Sequence, residues 1–409
     1  MTEPVAPAQR AAWLAVLAAA LGYFVDAYDL ILYNIVRVPS LTGLGLRGAA
    51  LLDSGVDLLN AQLVGMLLGG ILWGVWGDKL GRRSVLFGSI LAYSVATLAN
   101  AWVDSILGYG VCRFMAGVGL AGELGAGVTL VSELLPAKTR GYGTMIVAAV
   151  GVVGVCVASL VGDSLPWRHA YLVGGTLGLL LLGLRLGVRE SAMFEAAQKS
   201  AIARGSLALL FRQPRRVLRY ACVTITALPI WCAIGVLVTF SPELGKAFGL
   251  AVCPTAARAV LAYYVGLTLG DLTTGYLSQR LRTRRRIIVA FLGLFGAATV
   301  AFPLWGARSL GTYYACIWLL GFASGYWAVF ITMSAELFGT NLRATVATTV
   351  PNFVRGLAVP LTLLFKHYAP RVGQVPMAMI LTCTTLLVAV VALGSLEETY
   401  GRTLDFYEE

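Results

Sequence analysis

Charged residues are scarce in this chain of 409 residues: Asp, Glu, Lys and Arg make up 12% of it, against about 25% in a typical soluble protein. Apolar residues make up 58%, and the mean hydropathy is +0.80. So few charges cannot cover the surface of one water-soluble globule of this size. The composition therefore excludes a soluble enzyme, a disordered chain and a fibrous protein, and it indicates a membrane protein.

Histidine and clustered cysteine are also lacking. The chain has two histidines, His169 and His367, and most of its seven cysteines lie singly inside apolar runs. This pattern favours neither a disulfide framework nor a metal site. No glycine-rich loop ends in Lys-Ser or Lys-Thr, so ATP is not the expected energy source. No catalytic constellation is present, and we expect no cofactor, no metal and no enzymatic activity.

Long apolar runs make up most of the sequence. A membrane-spanning helix needs about 20 mostly apolar residues, and twelve such runs lie near 12–37, 58–77, 84–103, 106–131, 141–163, 168–187, 218–241, 259–279, 287–307, 311–334, 344–366 and 374–395. The longest polar stretch falls between the sixth and seventh runs. The sequence therefore predicts an N-terminal bundle of six helices (1–187), a cytoplasmic linker (188–217), a C-terminal bundle of six helices (218–396) and a cytoplasmic tail (397–409).

The basic residues predict the orientation. The net charge is +11, and most Lys and Arg residues fall in the segments that share a membrane side with the N-terminus. Because cytoplasmic segments are enriched in Lys and Arg, both termini are predicted to be cytoplasmic. The positive charge then reflects membrane topology, and no nucleic-acid partner is expected.

The two halves resemble each other weakly. VGMLLGGILWGVWGDKLGRR (64–83) matches VGLTLGDLTTGYLSQRLRTRR (265–285), and SELLPAKTRG (132–141) matches AELFGTNLRA (335–344). The two segments of each match are separated along the chain by close to half its length, as expected of a duplicated six-helix unit. In such proteins the substrate path lies at the interface of the repeats, near the middle of the membrane.

Six ionisable residues lie inside the apolar runs: Asp26, Asp29, Arg113, Glu123, Asp271 and Arg355. A charge at the centre of a spanning helix costs about 2.5–3.5 kcal/mol on insertion scales if it faces lipid. Six such costs would exceed the stability of an ordinary domain, which is about 5–15 kcal/mol. These groups must therefore pair with each other or line a water-filled cavity.

Four segments carry a family resemblance. GDKLGRR (77–83), after the second run, resembles the signature of the major facilitator superfamily. RFMAGVGLAGELGAGVTLVSE (113–133) and GYFVDAYDL (22–30) resemble its proton-coupled phosphate, sugar and metabolite symporters, and EETYGRTLD (397–405) is similar to the tail of its sugar porters. The resemblance implies an all-α integral membrane fold, with twelve transmembrane helices in two pseudo-symmetric six-helix bundles.

The same resemblance implies proton-coupling residues. Asp26 and Asp29 share a helix face, and Arg113 is expected at a depth comparable with Asp29. In similar symporters an Asp at the position of Asp29 forms a proton-responsive pair with the fourth-helix Arg, and the acid at Glu123 takes part in coupling. The alternatives are a permanent ion pair that only joins two helices, and a buried Glu123 that is held neutral by hydrogen bonds.

Arg355 is the candidate for binding an anionic substrate group, because a guanidinium can bind a carboxylate or phosphate through two hydrogen bonds. Its alternative role is an ion pair with Asp271. Tyr or Trp side chains often line such cavities. The candidate substrate-binding residues are Arg355, Asp271, Tyr28, Trp231, Tyr326 and Trp327.

A third group of residues is predicted to control the cytoplasmic gate. Glu133 and Glu336 end helices at the cytoplasmic face, and the resemblance implies that such acids pair with arginines of the loops. The candidates for this gate are Asp78, Arg82, Glu133, Arg140, Glu336 and Arg343.

The predicted function is a secondary active transporter, a symporter that couples a small anionic or zwitterionic metabolite to protons by alternating access. A phosphate substrate is disfavoured, because the Asp-Tyr-Pro of the phosphate symporters is Glu123-Leu124-Gly125 here. The alternatives are a proton-coupled exporter of cationic or lipophilic compounds, and a membrane sensor or scaffold that transports nothing. The expected location is the cell membrane, and the expected state is a monomer without an obligate protein partner.

Overall fold

The computed structural model describes residues 7–80, 82–122, 137–185, 210 and 212–401, and every regular element in that part of the chain is a helix. The N-terminal half contains α1 (Pro7–Gly43), α2 (Ala49–Leu80), α3 (Arg82–Ala99), α4 (Ile106–Leu120), α5 (Ala137–Ser164) and α6 (Trp167–Arg185). The C-terminal half contains α7 (Pro214–Thr226), α8 (Leu228–Cys232), a π-helix (Ala233–Val238), α9 (Ser241–Ala247), α10 (Ala256–Arg280), α11 (Arg285–Trp305), α12 (Leu310–Ala323), α13 (Trp327–Glu336), α14 (Thr340–Gly356), α15 (Ala358–Val372) and α16 (Gln374–Gly394).

The helices follow the predicted apolar runs, but several extend beyond them. α1 continues through Pro39 to Gly43, and α2 begins at Ala49. Length and apolar composition alone identify four of the described helical spans as membrane-crossing: Ala49–Trp73, Arg285–Trp305, Leu310–Glu336 and Gln374–Gly394. A fifth is the bent pair Pro214–Thr226 and Leu228–Val238. α1 is not among them, although it is 37 residues long.

Three runs that were predicted as continuous are divided in the C-terminal half. The seventh bends by 44° at Ala227, two residues before Pro229. Proline has no amide N–H, and its ring clashes with the carbonyl of the preceding turn, which explains a break at this point. The tenth run is interrupted at 324–326, between α12 and α13, and the eleventh is interrupted at Leu357, between α14 and α15.

Glycines at equivalent positions of the two halves allow the same close helix contact. A Cβ on Gly65 would lie 2.2 Å from the carbonyl oxygen of Phe114, and a Cβ on Gly266 would lie 2.2 Å from that of Trp318. Both distances are too short for any side chain, so the backbones of α2 and α4, and of α10 and α12, touch directly. α4 ends at Leu120 as α12 ends at Ala323. The duplication seen in the sequence is therefore present in the packing.

The halves meet along α1, α2 and α5 on one side and α10, α14 and α15 on the other. We call the end of the molecule at which α1 begins and α16 ends the termini end. The other end, at which α1 ends and α2 begins, is called the opposite end. Among the candidate functional residues, Arg355 lies at this interface, next to Gly356, where an added Cβ would meet Leu67 of α2 at 3.2 Å.

The glycine contact predicts a position-specific loss of stability within one helix. Gly266→Ala should destabilise the protein by about 1–3 kcal/mol, the usual cost of overpacking, because its methyl group meets backbone. Gly275→Ala, also in α10, is the matched control, since a Cβ there meets nothing within 4 Å. Thermal unfolding of the two variants in detergent measures the difference. Equal melting temperatures would contradict the close contact.

Candidate functional site

Asp29 and Arg113 meet in the interior of the N-terminal half. Neither is exposed, and 3.8 Å separates Nη1 of Arg113 from Oδ1 of Asp29. Nη2 of Arg113 also lies 3.5 Å from the backbone oxygen of Asp29. Among the described residues, neither carboxylate oxygen accepts a hydrogen bond within normal limits. The pair is thus a charge contact without the close hydrogen bonds of a rigid ion pair.

Two aromatic rings also stabilise the positive charge of Arg113. The guanidinium carbon lies 5.6 Å from the ring centroid of Tyr33 and 5.6 Å from that of Tyr171. Ring faces attract cations, and the attraction grows when water is excluded. Arg113 is therefore held between α1 and α6 even where its contact with Asp29 is loose.

Arg355 lies at the interface of the halves and is 2% exposed. Its guanidinium carbon is 5.3 Å from the ring centroid of Trp231, and Nη1 donates to Oδ1 of Asn352 at 3.3 Å. No carboxylate of the described residues lies within 4.0 Å of it, so the predicted alternative, an ion pair with Asp271, is not formed. Asn352 also donates to the carbonyl of Ala121 at 3.1 Å, which joins α14 to the N-terminal half.

Asp271 instead binds the start of α13. Its Oδ1 accepts a hydrogen bond from the backbone N–H of Ala328 at 2.9 Å. The first amides of a helix have no partners within that helix, and a carboxylate satisfies them well. Asp271 therefore caps the helix that follows the break at 324–326, from a position that is Gly70 in the other half.

The remaining aromatic candidates have separate places. The Tyr28 hydroxyl donates to the carbonyl of Ala170 at 2.9 Å, inside the N-terminal half. The Tyr326 hydroxyl donates to the carbonyl of Thr226 at 3.0 Å, so it connects the breaks of the tenth and seventh runs. Trp327 is half-buried at the first position of α13.

Asp26 is fully buried one turn before Asp29. Its neighbour Tyr23 lies within electrostatic range of Asp26, Arg355 and Asp271. Tyr23 thus lies close enough to charged groups of both halves to interact with them electrostatically.

The sequence interpretation missed the contacts that close the opposite end. Nη2 of Arg37 donates to both carboxylate oxygens of Glu243, at 2.6 and 2.8 Å, across 206 residues of chain. Further pairs between the halves are Lys366 with Asp57, Arg258 with Asp163, and Thr362 with Asn60. Within the described ranges, the ion pairs that join the two halves all lie at this end.

A pattern in α1 could have indicated Arg37. The polar residues Tyr23, Asp26, Asp29, Tyr33 and Arg37 follow each other at spacings of three or four residues, which places them on one face of a helix. The predicted apolar run ends at Arg37, whereas α1 continues for six residues beyond it.

At the termini end, Glu336 has the predicted kind of partner. Its Oε1 lies 3.4 Å from Nη2 of Arg284, a residue of the loop between α10 and α11, and its Oε2 accepts from the Thr399 hydroxyl at 2.6 Å. Glu123 and Glu133 lie outside the described residues. So do the side chains of the other gate candidates, Asp78, Arg82, Arg140 and Arg343.

Glu398 adds a second acid to this contact. It accepts hydrogen bonds from the Thr283 hydroxyl and from the backbone N–H groups of Arg284, Arg285 and Tyr400. Burial of the carboxylate opposes its ionisation, but these donors outweigh burial and lower the pKa of Glu398 to about 2. The chain after α16 is thereby fixed to the start of α11.

In the portion of the chain that the structure describes, no group of three or more His, Cys, Asp or Glu side chains is placed to hold a metal ion.

Comparison with known proteins decides the family. The sequence profile of the Major Facilitator Superfamily matches residues 12–362. The chain belongs to the major facilitator superfamily. The fold of this superfamily has twelve membrane helices in two six-helix bundles, so each interrupted run counts as one spanning segment. Its members are multi-pass membrane transporters of small molecules and are not enzymes.

Relatives and solved structures agree with this membership. A niacin transporter of Acinetobacter baylyi is 26% identical over 94% of each chain. A 3-(3-hydroxy-phenyl)propionate transporter of Escherichia coli is 25% identical over 75% of this chain and 79% of its own. The crystal structure of a D-xylose-proton symporter superposes with a TM-score of 0.72 at 18% identity, over 96% of this chain and 99% of the other, which shows the shared fold.

A fall in pH should weaken the hydrogen bonds that Glu398 accepts in this superfamily member. Because its folded pKa is lowered, the contact contributes stability above the ordinary Glu pKa of about 4.3 and loses it as the pH falls towards about 2. Glu398→Gln should therefore lower the melting temperature at neutral pH, and its difference from wild type should shrink towards pH 3. Asp53→Asn, at an exposed acid in α2, is the control. A pH-independent difference would contradict the assignment.

Proposed function

We propose that this chain is a proton-coupled symporter that imports a small aromatic carboxylate by alternating access. The observation that carries the proposal is the geometry of Arg355. A buried cation lies at the interface of the halves, beside an indole ring and without a carboxylate partner among the described residues.

Arg355 can hold a flat anion. Among the described hydrogen bonds of its guanidinium, the single acceptor is Asn352, at Nη1, and Nε has no partner. A guanidinium binds a carboxylate through two parallel hydrogen bonds, and a substrate ring can stack on an aromatic side chain such as Trp231. A buried cation without an anion is costly, so a substrate carboxylate relieves that cost when it binds.

The relatives support an aromatic acid in particular. Niacin and 3-(3-hydroxy-phenyl)propionate, the compounds named for two of them, each join a flat ring to a carboxylate. This chain has a cation and an aromatic ring side by side where a compound of that shape would be recognised. The substrate class is therefore narrower than the anionic or zwitterionic metabolite that the sequence alone predicts.

The orientation proposed from the basic residues makes the opposite end the extracellular side. Contacts such as Arg37 with Glu243 then close the path towards the outside. The described conformation corresponds to an inward-facing or occluded state of the transport cycle. Release of those contacts would open the path to the substrate's source.

Proton coupling is proposed for Asp29. Asp29 is a fully buried carboxylate that accepts no hydrogen bond of normal geometry from the described residues, and such a group can be accommodated either by a nearby cation or by taking up a proton. The 3.8 Å contact with Arg113 allows both states. A cation exporter is less well supported, because Asp29 is engaged by Arg113 and Asp271 by the amide of Ala328.

Substitution of Arg355 tests the substrate class. Arg355→Lys keeps the charge but loses the two-pronged geometry, so the KM for uptake of nicotinate or benzoate into proteoliposomes should rise about tenfold or more. Arg168→Lys, at a partly exposed pair with Asp104, should leave KM unchanged. Neutral benzamide should not compete with benzoate. Equal competition by both compounds would contradict a role for the guanidinium.

Substitution of Asp29 tests proton coupling. Asp29→Asn removes the titrating group, so accumulation driven by an inward proton gradient should be lost while counterflow exchange of substrate continues. Asp104→Asn, whose side chain is 86% exposed, is the matched control. Unchanged accumulation by Asp29→Asn would contradict the proposal, and proton-driven efflux by wild type would favour an exporter.

A further inference from the structure

Arg37 makes the most complete contact between the halves among the residues that the structure describes. Besides Glu243, its Nη2 donates to the carbonyl of Thr239 at 3.3 Å, and its guanidinium carbon lies 4.5 Å from the centroid of the Phe240 ring. These three partners lie within five residues, directly after the π-helix of the seventh run. We call this set the Arg37 contact. The Arg37 side chain is fully buried, so the opposite end cannot separate without breaking it.

A cluster of three buried tyrosines surrounds Arg113 on the side that faces the opposite end. The cluster consists of Tyr33, Tyr109 and Tyr171, none of which is exposed. The hydroxyls of Tyr109 and Tyr171 are 2.6 Å apart, and the rings of Tyr33 and Tyr109 meet edge to face at 5.7 Å. Since two of these rings also contact the Arg113 guanidinium, displacement of Arg113 must displace the cluster.

Two routes lead from this cluster to Arg37, one through a hydrogen bond and a packing contact, the other through two hydrogen bonds. The Tyr33 hydroxyl donates to the carbonyl of Gly55 at 3.0 Å, and a Cβ on Gly55 would lie 2.9 Å from Cδ of Arg37. The Tyr109 hydroxyl donates to Oγ of Ser40 at 3.2 Å, and that hydroxyl donates to the carbonyl of Arg37 at 3.1 Å. One route thus reaches the Arg37 side chain, and the other reaches its backbone.

We propose that Tyr33 and Tyr109 are positioning residues, which transmit the state of the Asp29–Arg113 pair to the Arg37 contact. When Asp29 takes a proton from a hydronium ion, its Oδ–H bond forms, a water molecule is left, and Arg113 loses its countercharge. The guanidinium then moves with the rings of Tyr33 and Tyr171, and the hydroxyl bonds to Gly55 and Ser40 shift. Arg37 loses its support and releases Glu243, so the opposite end opens. The inference rests on the proposed proton coupling.

Asp29 is the group whose charge changes. Among the described residues, the titratable groups that act on Asp29 or Arg113, other than these two themselves, are Tyr28, Tyr33, Tyr109, Cys112 and Tyr171. The buried carboxyl of Asp26 also lies one turn away from Asp29 on α1. α3 contributes the neutral Thr97, and α2 contributes Asp57, which acts on Tyr33. Within the described residues, α5 and α10 add none to this set. Phenols and thiols are uncharged between about pH 5 and 7.

The test measures opening of the opposite end in the full-length protein in nanodiscs. Spin labels go on Arg47→Cys and on the native, exposed Cys253, in a background with Cys383→Ser. In the protein with native tyrosines, the distance between the labels should lengthen as the pH falls from about 7.5 to about 5.5.

Tyr33→Phe with Tyr109→Phe keeps the rings but removes both hydroxyls, so at least two-thirds of that shift should be lost, while benzoate affinity stays within about twofold. Glu243→Gln should be open at both pH values.

The controls separate this link from a general loss of stability. Tyr220→Phe removes the hydroxyl bond of another buried tyrosine, to Thr349 in the C-terminal half, and should keep the full shift. If the double variant does not fold, Ser40→Ala tests the second route alone and should lose part of the shift. A double variant or a Ser40→Ala variant with the full shift, in a protein that accumulates substrate with protons, overturns the link but not the proposed function. Absence of proton-driven accumulation in wild type overturns both.

Discussion

The cost of burying a guanidinium in a low-dielectric interior governs the arrangement of this protein. Arg37, Arg113 and Arg355 are all at most 2% exposed, yet their compensation differs. Arg37 has a carboxylate at hydrogen-bond distance, Arg113 has one at 3.8 Å together with two rings, and Arg355 has an amide and a ring. A positive charge that a carboxylate neutralises at hydrogen-bond distance, as at Arg37, suits a closed contact. A charge that is only partly neutralised, as at Arg113, suits a pair that exchanges a proton. A charge without a carboxylate partner among the described residues, as at Arg355, suits a site that receives an anion.

The duplicated scaffold accommodates different chemistry in its two halves. Gly65 and Gly266 bring equivalent helices into the same backbone contact, so the frame is shared. The charged groups are not shared: Asp271 occupies the position of Gly70, and its carboxylate caps α13 after the break of the tenth run. In the proposed function the proton-binding pair therefore belongs to the N-terminal half and the anion-binding cation to the C-terminal half. This separation requires a physical link between them.

The sequence predicts the helices well because apolar runs of spanning length leave few other structures possible in a membrane. It also places Asp29 and Arg113 at matching depth, where the structure brings them together. It does not predict that Arg37 reaches Glu243, since a pairing across 206 residues depends on how the two bundles dock. The partner of Asp271 was missed for a related reason: the break at 324–326 creates free amides that a continuous helix would not offer.

α1 offers the simplest physical link between the two proposed sites. It carries Tyr23, Asp26, Asp29, Tyr33 and Arg37 on one face, over about 20 Å at 1.5 Å per residue. Tyr23 lies within electrostatic range of Arg355, while Arg37 holds the opposite end closed. A continuous helix moves as a unit more readily than it bends. A movement of α1 that begins at Asp29 would therefore reach the surroundings of Arg355 and of Arg37 together. The broken helices of the C-terminal half lack this continuity, whereas Asp29, the acid for which we propose proton coupling, lies on the unbroken α1.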